Sequence, residues 1–181
     1  MEPPERVRRK LGAEALFKYA LRALSARAQS AGELRRKLEE RAQAPEDVPA
    51  ILARLRQYGY LDDRRFAESY STARLEDQGL GQERVLRDLR RRRVAPRLAK
   101  EAVQAAYRDT DEARLIEQYL RRKYRSIPLE EHLAEPKHLA AVYRRLRHAG
   151  FSPANILRVL TRLGGDADWL ASAEEPGGGE A

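Results

Sequence analysis

Two adjacent aspartates, Asp62 and Asp63 in the stretch YGYLDDRRFAESY, are the residues most suggestive of chemistry. Paired carboxylates can hold a metal ion or do acid–base work. They can also begin a helix, because aspartate is a favoured N-cap and a first-turn carboxylate meets the positive end of the helix dipole. The helical interpretation also explains Gly59, which suits the end of a preceding helix, and Leu61 and Phe66, which have hydrophobic-staple spacing around an Asp62 cap. We therefore expect a structural junction here, and a metal-dependent enzyme at the two aspartates is the weaker alternative.

No other residues have the spacing of a catalytic, metal or cofactor site. His132, His138 and His148 do not follow the H-E-x-x-H zinc pattern. The chain has no cysteine, which excludes disulfides and thiolate metal sites. It also lacks a glycine-rich phosphate-binding loop. The sequence predicts a protein that is not an enzyme and that carries no metal and no cofactor.

Positive charge is the stronger chemical signal. Lys and Arg number 36 against 28 acidic residues, which gives a net charge of +8. The cations cluster near predicted helix ends, and four consecutive arginines exceed what a helix dipole needs, so we expect contact with a polyanion or an acidic protein surface. Tyr124 and Tyr143 lie within these runs, and the sequence leaves open whether they stack on bases or lie in the core. The candidate contact residues are Arg35, Arg36, Lys37, Arg87, Arg90, Arg91, Arg92, Arg93, Arg121, Arg122, Lys123, Arg125, Arg144, Arg145 and Arg147.

Helices must position these runs. Apolar residues recur with helical spacing, and no segment shows the sustained alternation of a strand. An internal repeat appears when two apolar positions and a following proline are aligned. We predict an all-α fold of three tandem three-helix repeats, about nine helices, forming an elongated, curved body. The aligned positions are Leu34, Leu38 and Pro45, then Val85, Leu89 and Pro96, then Val142, Leu146 and Pro153.

The repeat divides the chain into five predicted parts. An N-terminal extension covers 1–14, the repeats cover 15–63, 64–111 and 112–170, and a disordered acidic, Gly-rich tail covers 171–181. The third repeat is longer because of a loop at Ser126–Lys137, where prolines break the helical pattern. No apolar run could span a membrane and the charged N-terminus does not resemble a signal peptide, so we expect a cytoplasmic protein.

Several stretches together resemble a known family. They are ALRALSARAQSAGELRRKL (Ala20–Leu38), GYLDDRRFAESY (Gly59–Tyr70) and LRDLRRRRV after a glycine-containing turn, and the last repeat agrees in layout from RKYR to HAGFSPANILRVL. These elements resemble the RecX family, the bacterial regulators of the RecA recombinase. The resemblance covers residues 15–163, nearly all of the predicted folded part.

The resemblance implies a non-enzymatic regulator acting in homologous recombination, DNA repair and the SOS response. Such a protein would bind the RecA–DNA filament and mainly inhibit its ATPase, strand-exchange and coprotease activities. It would bind single- and double-stranded DNA weakly and without sequence preference, have no membrane partner and be a monomer. The family supplies no catalytic residue and no cofactor. The residues themselves leave a second hypothesis open, a stand-alone DNA-binding protein with a helix-turn-helix-like unit in the major groove.

Overall fold

Helices account for the regular structure of the protein. The computed structural model describes residues 10–166 and 168–170. Ten α-helices and no strand occur in these residues, which confirms the predicted all-α fold. The helices are α1 (Ala13–Ala26), α2 (Ala31–Glu39), α3 (Asp47–Gln57), α4 (Asp63–Glu76), α5 (Gln82–Arg91), α6 (Pro96–Ala106), α7 (Glu112–Lys123), α8 (Leu129–Ala134), α9 (Pro136–Ala149) and α10 (Pro153–Arg162).

Several helices begin in one of two ways. Either a side chain accepts a hydrogen bond from one of the first backbone N–H groups, or a proline, which has no N–H, occupies the first position. At α2, the Glu33 N–H donates to Ser30 Oγ at 3.0 Å and the Ser30 N–H donates to Glu33 Oε2 at 3.2 Å, a complete capping box. Proline occupies the first position of α9 and of α10. Neither Pro45 nor Pro49 is the first residue of α3, which begins at Asp47. The Pro45 carbonyl instead accepts a hydrogen bond from the Val48 N–H at 3.2 Å, in the turn that leads into the helix.

Left-handed glycines end α3 and α9. At the end of α3, Gly59 has φ 71°, its N–H donates to Arg56 O at 2.9 Å, and the Tyr60 N–H donates to Leu55 O at 2.9 Å. Gly150 has φ 91° at the end of α9. These bonds satisfy carbonyls that the last helical turn leaves without partners.

A short helix occupies the predicted loop Ser126–Lys137. This is α8, whose N-cap is Pro128 and which is followed directly by Pro136, the first residue of α9. Leu133 of α8 is completely buried, and α8 packs against α9. The two prolines delimit a helical turn here because proline is tolerated at and just before a helix N-terminus.

The described residues form two compact units. The first comprises residues 10–69 and 89–102. In it, α1, α2 and α3 pack against one another. Their shared core is hydrophobic, which matches the apolar stripe of each helix. The buried cluster contains Leu16, Phe17, Ala20, Ala31, Leu34, Leu38, Ala42, Val48, Ile51, Leu52, Leu55 and Leu61.

The second unit comprises residues 70–88, 103–166 and 168–170. Here α10 packs against α7 and α9. Phe151 is completely buried, and its ring meets that of Tyr119 edge-on, with the ring centroids 5.6 Å apart. All six apolar positions of the predicted repeat are completely buried, Val85, Val142 and Leu146 in this unit and Leu34, Leu38 and Leu89 in the first. No helix in the described parts is both long and apolar enough to cross a lipid bilayer. The predicted disordered tail lies outside the described residues.

Candidate functional site

A basic groove runs beside α9 in the second unit. Arg144, Arg145 and His148 of this helix line a cavity of about 500 Å³, together with Arg84 of α5 and Tyr119 of α7. We call this cavity the α9 groove. It brings two predicted contact residues, Arg144 and Arg145, together with an arginine and a histidine that the sequence analysis did not assign to a surface. The remaining lining residues are Gln78, Leu80 and Ala149.

Two arginines of α5, Arg84 and Arg87, contact His148 of α9 beside the groove. Arg84 Nη1 lies 2.9 Å from His148 Nε2. A guanidinium can only donate, so in this hydrogen bond Nε2 has to be the acceptor. Arg87 Nη2 donates to the His148 carbonyl at 3.1 Å. The C-terminal end of α9 thereby gains donors for a carbonyl that the helix leaves open.

Arg144 and Arg145 bring positive charge to the groove. Both are exposed, and across the described residues neither forms an ion pair. Arg145 stands over the Tyr124 ring, with Cζ 5.6 Å from the centroid. Tyr143 is half-buried and its ring meets Trp169 at 6.2 Å. The two guanidinium groups suit a phosphate or carboxylate ligand.

In the basic run at the end of α7, one arginine donates to backbone carbonyls of its own chain, and within the described residues the other cations do not. Arg122 donates to the Asp77 carbonyl at 3.3 Å and also to the Gln78 carbonyl, just beyond the end of α4. Arg121, Lys123 and Arg125 are exposed. Arg122 therefore stabilises the turn after α4, whereas its neighbours remain accessible to a ligand.

Arg147, the third α9 arginine of the predicted set, is engaged within the protein. Its Nη1 donates to the Phe151 carbonyl at 2.8 Å and lies 3.4 Å from Glu83 Oε2. These contacts hold the turn between α9 and α10.

In the first unit, the run Arg90–Arg93 closes the C-terminal end of α5. Arg92 Nη1 lies 3.4 Å from Glu33 Oε1, and the Arg92 carbonyl accepts a hydrogen bond from Ser30 Oγ. Arg93 adopts φ 60°, and its N–H donates to Arg90 O at 2.9 Å, so it ends the helix in the place a glycine would favour. Arg90, Arg91 and Arg93 are exposed, and no ion pair involves them in the part of the chain that is described.

The basic residues of α2 also differ from one another. Arg36 pairs with Glu40 at 2.5 Å. Lys37 donates to Gln29 Oε1, and partial burial, helped by the charge of Arg27, lowers the pKa of Lys37. Arg35 is exposed, and within the described ranges it forms no ion pair. Of these three predicted contact residues, Arg35 has the most freedom to meet a partner.

The two junction aspartates serve helix N-termini. Asp62 Oδ1 accepts from the Arg65 N–H at 3.0 Å, the bond of an N-cap at α4. Asp63 Oδ1 accepts from the Ala31 N–H at 2.6 Å, at the start of α2. Leu61 is buried and Phe66 is half-buried. No group of three or more His, Cys, Asp or Glu in the described residues is placed to hold a metal ion.

The chain resembles known proteins along most of its length. A family model described as the first three-helix domain of RecX matches residues 17–55, and one described as the second three-helix domain matches residues 62–103. The "Regulatory protein RecX" of Trichlorobacter lovleyi is 30% identical over 132 residues, which cover 73% of this chain and 84% of that protein.

The chain belongs to the RecX family.

Other RecX proteins agree with this assignment over different spans. The "Regulatory protein RecX" of Deinococcus radiodurans is 43% identical over 99 residues, 55% of this chain but only 46% of that protein. The crystal structure of RecX from Lactobacillus salivarius superposes with a TM-score of 0.66 at 18% identity, covering 83% of this chain and 96% of that one. A second crystal structure of regulatory protein RecX gives a TM-score of 0.66 at 22% identity, covering 83% and 73% of the two chains. At these identities the structures establish a shared fold.

The RecX domain models contain only part of the candidate surface. Arg84 lies inside the matched range 62–103, whereas Arg144, Arg145 and His148 follow both matched ranges. Arg84 and His148 were not predicted because the candidates were drawn from clusters of Arg and Lys. A sequence signal for His148 is that it directly follows Arg147 in the run Arg144–His148.

Proposed function

We propose that this chain is a non-enzymatic, cytoplasmic regulator of RecA, which binds the RecA–DNA filament and mainly inhibits its ATPase, strand-exchange and coprotease activities. Membership of the RecX family supports a regulatory role. The α9 groove carries the binding part of the proposal, because Arg144 and Arg145 point two unpaired charges toward a cavity that also contains an aromatic ring. The protein acts as a monomer.

Phosphate oxygens of DNA and carboxylates of a protein surface are the ligands that such a groove would take. Contacts to phosphates carry no sequence information, so direct DNA binding by the chain is weak, sequence-independent and steeply dependent on salt, for single and double strands alike. On a filament, which repeats its binding sites, several modest contacts add through avidity.

The contact residues in this proposal are those predicted cations whose side chains, within the described residues, neither pair with an acid nor donate to a backbone carbonyl or another side chain. In the second unit these are Arg144 and Arg145, with exposed Arg121, Lys123 and Arg125 at the end of α7. In the first unit they are Arg35, Arg90, Arg91 and Arg93. Arg92, Arg122 and Arg147 instead spend their donors on groups of their own chain, so we propose that they position the backbone.

The experiment measures RecA ATPase on single-stranded DNA and RecA strand exchange, with this protein at substoichiometric amounts. The test variant is R144A/R145A. The matched control is R114A/R158A, which removes the same charge from two exposed arginines of α7 and α10 outside the α9 groove. We expect inhibition by the native chain and by the control, and weaker inhibition by R144A/R145A. If the native chain changes neither activity, the proposal is wrong.

DNA binding without RecA distinguishes the helix-turn-helix hypothesis. That hypothesis requires strong preference for one duplex sequence, because base edges in the major groove would be read. Binding that is indifferent to sequence and weakens steeply with salt supports the phosphate contacts proposed here.

A further inference from the structure

Two exposed tyrosines form a corner directly after α3. Tyr58 is 56% exposed and Tyr60 is 59% exposed, and among the described residues only Ile127 joins them as an exposed large hydrophobic side chain. Only Gly59 separates the two tyrosines, and their rings lie 6.3 Å apart in an edge-to-face arrangement. Single exposed apolar side chains are common, whereas two exposed aromatic rings beside each other form a small patch that a ligand can use. We call Tyr58 and Tyr60 the tyrosine corner.

The backbone of the tyrosine corner is fixed. The Tyr58 N–H donates to Arg54 O at 3.1 Å, and the Tyr60 N–H donates to Leu55 O at 2.9 Å. Leu61, the next residue, is only 3% exposed and anchors the chain in the core of the first unit. Both rings are therefore presented from a frame that is already ordered, which reduces the entropy lost on binding.

Positive charge flanks the tyrosine corner. Arg54 stands over the Tyr58 ring with Cζ 5.6 Å from the centroid, and it has a distant acidic partner in Glu14 at 3.9 Å. Arg56 is exposed and enters no ion pair within the described residues. The neighbouring carboxylates of Asp62 and Asp63 accept hydrogen bonds from helix N–H groups. A ligand at this corner thus meets two aromatic rings close to Arg54 and, two residues before Tyr58 in the chain, the exposed Arg56.

We propose that the tyrosine corner is a stacking site for unpaired bases of single-stranded nucleic acid. Aromatic side chains bind any base through its π face, and nearby arginines can donate hydrogen bonds to the phosphate oxygens. Bases in a duplex are already stacked, so the site discriminates between single and double strands, which phosphate contacts alone do not. The corner falls between the two matched RecX domains, which end at 55 and begin at 62. The inference deepens the proposed DNA binding and rests on it for the electrostatic attraction.

The experiment compares three dye-labelled probes by fluorescence anisotropy. They are a single-stranded dT oligomer, an abasic oligomer of the same length, and a duplex. The abasic probe keeps the phosphates and removes the bases. The variants are Y58A/Y60A and Y58F/Y60F, and circular dichroism establishes that each remains helical. Y58F/Y60F keeps both rings and serves as the matched control.

We expect the native chain and Y58F/Y60F to bind dT more tightly than the abasic probe. Since even one stacked base is worth roughly a factor of ten in affinity, Y58A/Y60A should weaken dT binding at least about tenfold and leave the other two probes unchanged. Equal binding of dT and the abasic probe by the native chain overturns the inference. So does a Y58A/Y60A chain that binds dT normally and loses only inhibition of RecA, because the corner would then contact protein. If the native chain binds neither the duplex nor the abasic probe, the proposed phosphate contacts are contradicted. Even then, dT binding that only Y58A/Y60A loses would support stacking at the tyrosine corner.

Discussion

The Asp63 carboxylate accepts a hydrogen bond from the backbone N–H of Ala31, with Oδ1 2.6 Å from the nitrogen. Ala31 is the first residue of α2, and the N–H groups of a first turn have no partner inside their own helix. A carboxylate in the first turn of α4 therefore caps a helix 32 positions earlier in the chain. The bond is charge-assisted, and the negative charge also meets the positive end of the α2 dipole.

Replacing Asp63 with alanine should destabilise the protein by about 1–2 kcal/mol, because the Ala31 N–H then loses its acceptor in a partly buried place. Urea denaturation followed by circular dichroism measures the change in free energy of unfolding. D63N is the matched control: its amide oxygen can still accept the bond, so we expect a smaller loss. An unchanged midpoint for D63A would contradict the assigned role.

Local sequence signals predicted the helix ends well. Gly59 and the Asp62 N-cap act within a few residues of themselves, so their pattern suffices. The Asp63–Ala31 bond could not be predicted in this way, because its partners meet only after folding. The sequence likewise placed Asp63 in a first turn but could not say which second helix its carboxylate reaches.

The candidate surface was predicted only as a set of charges. Counting arginines found Arg144 and Arg122 equally, yet one lines the α9 groove and the other donates to the carbonyls of Asp77 and Gln78. An arginine donates to a backbone carbonyl only where the fold brings a helix end next to it. A run of like charges in the sequence does not predict where this happens.

The backbone at Gly81 lies so close to the end of α9 that a larger residue would collide with it. The Gly81 N–H donates to the Ala149 carbonyl at 2.9 Å, and a Cβ on Gly81 would lie 2.1 Å from Gly150 O. Because the obstructing atoms belong to backbone, G81A should cost about 2–3 kcal/mol or more. Thermal unfolding by calorimetry or circular dichroism measures this loss.

Gly12 offers the matched control for that substitution. The nearest atom to a Cβ placed there is Gln43 Oε1 at 3.8 Å, an ordinary contact, and Gly12 already has φ −70°. G12A should change the stability by less than about 1 kcal/mol. Equal effects of G81A and G12A would show that the contact with Gly150 does not constrain the fold.

The Tyr107 hydroxyl predicts an alkaline limit to stability. It donates to the Leu80 carbonyl at 2.6 Å, and burial, with the nearby charge of Glu112, raises the pKa of Tyr107 above its ordinary value. Since the folded-state pKa is the higher one, the stabilisation is complete below about pH 10, the unfolded value, and is lost as the pH rises toward the folded value. The free energy of unfolding should therefore fall above about pH 10.

The variant Y107F removes both the hydrogen bond and this titration. At neutral pH it should cost about 1 kcal/mol, because the Leu80 carbonyl loses a donor. Above about pH 10 its stability should fall less steeply than that of the native chain. Y58F, which alters an exposed tyrosine, should keep the native pH profile. An alkaline slope in Y107F as steep as the native one would assign the loss to other groups.

The α9 groove predicts the salt dependence of DNA binding. If Arg144 and Arg145 each neutralise one phosphate, log K should fall less steeply with log salt in R144A/R145A. The magnitude of the slope should be smaller by about 2, because each contact releases roughly one counterion. Fluorescence anisotropy with one duplex over a series of salt concentrations gives this slope. The loss should be the same for unrelated duplex sequences, since phosphates are the ligand.

The control R114A/R158A separates contact from net charge. Both double variants reduce the chain's charge from +8 by two, so a slope that responds to overall charge changes equally in each. A slope that responds to phosphates held at the α9 groove changes only in R144A/R145A. Equal slopes for the two variants would therefore place the DNA contacts on other cations of the chain, beginning with the exposed arginines at the end of α5.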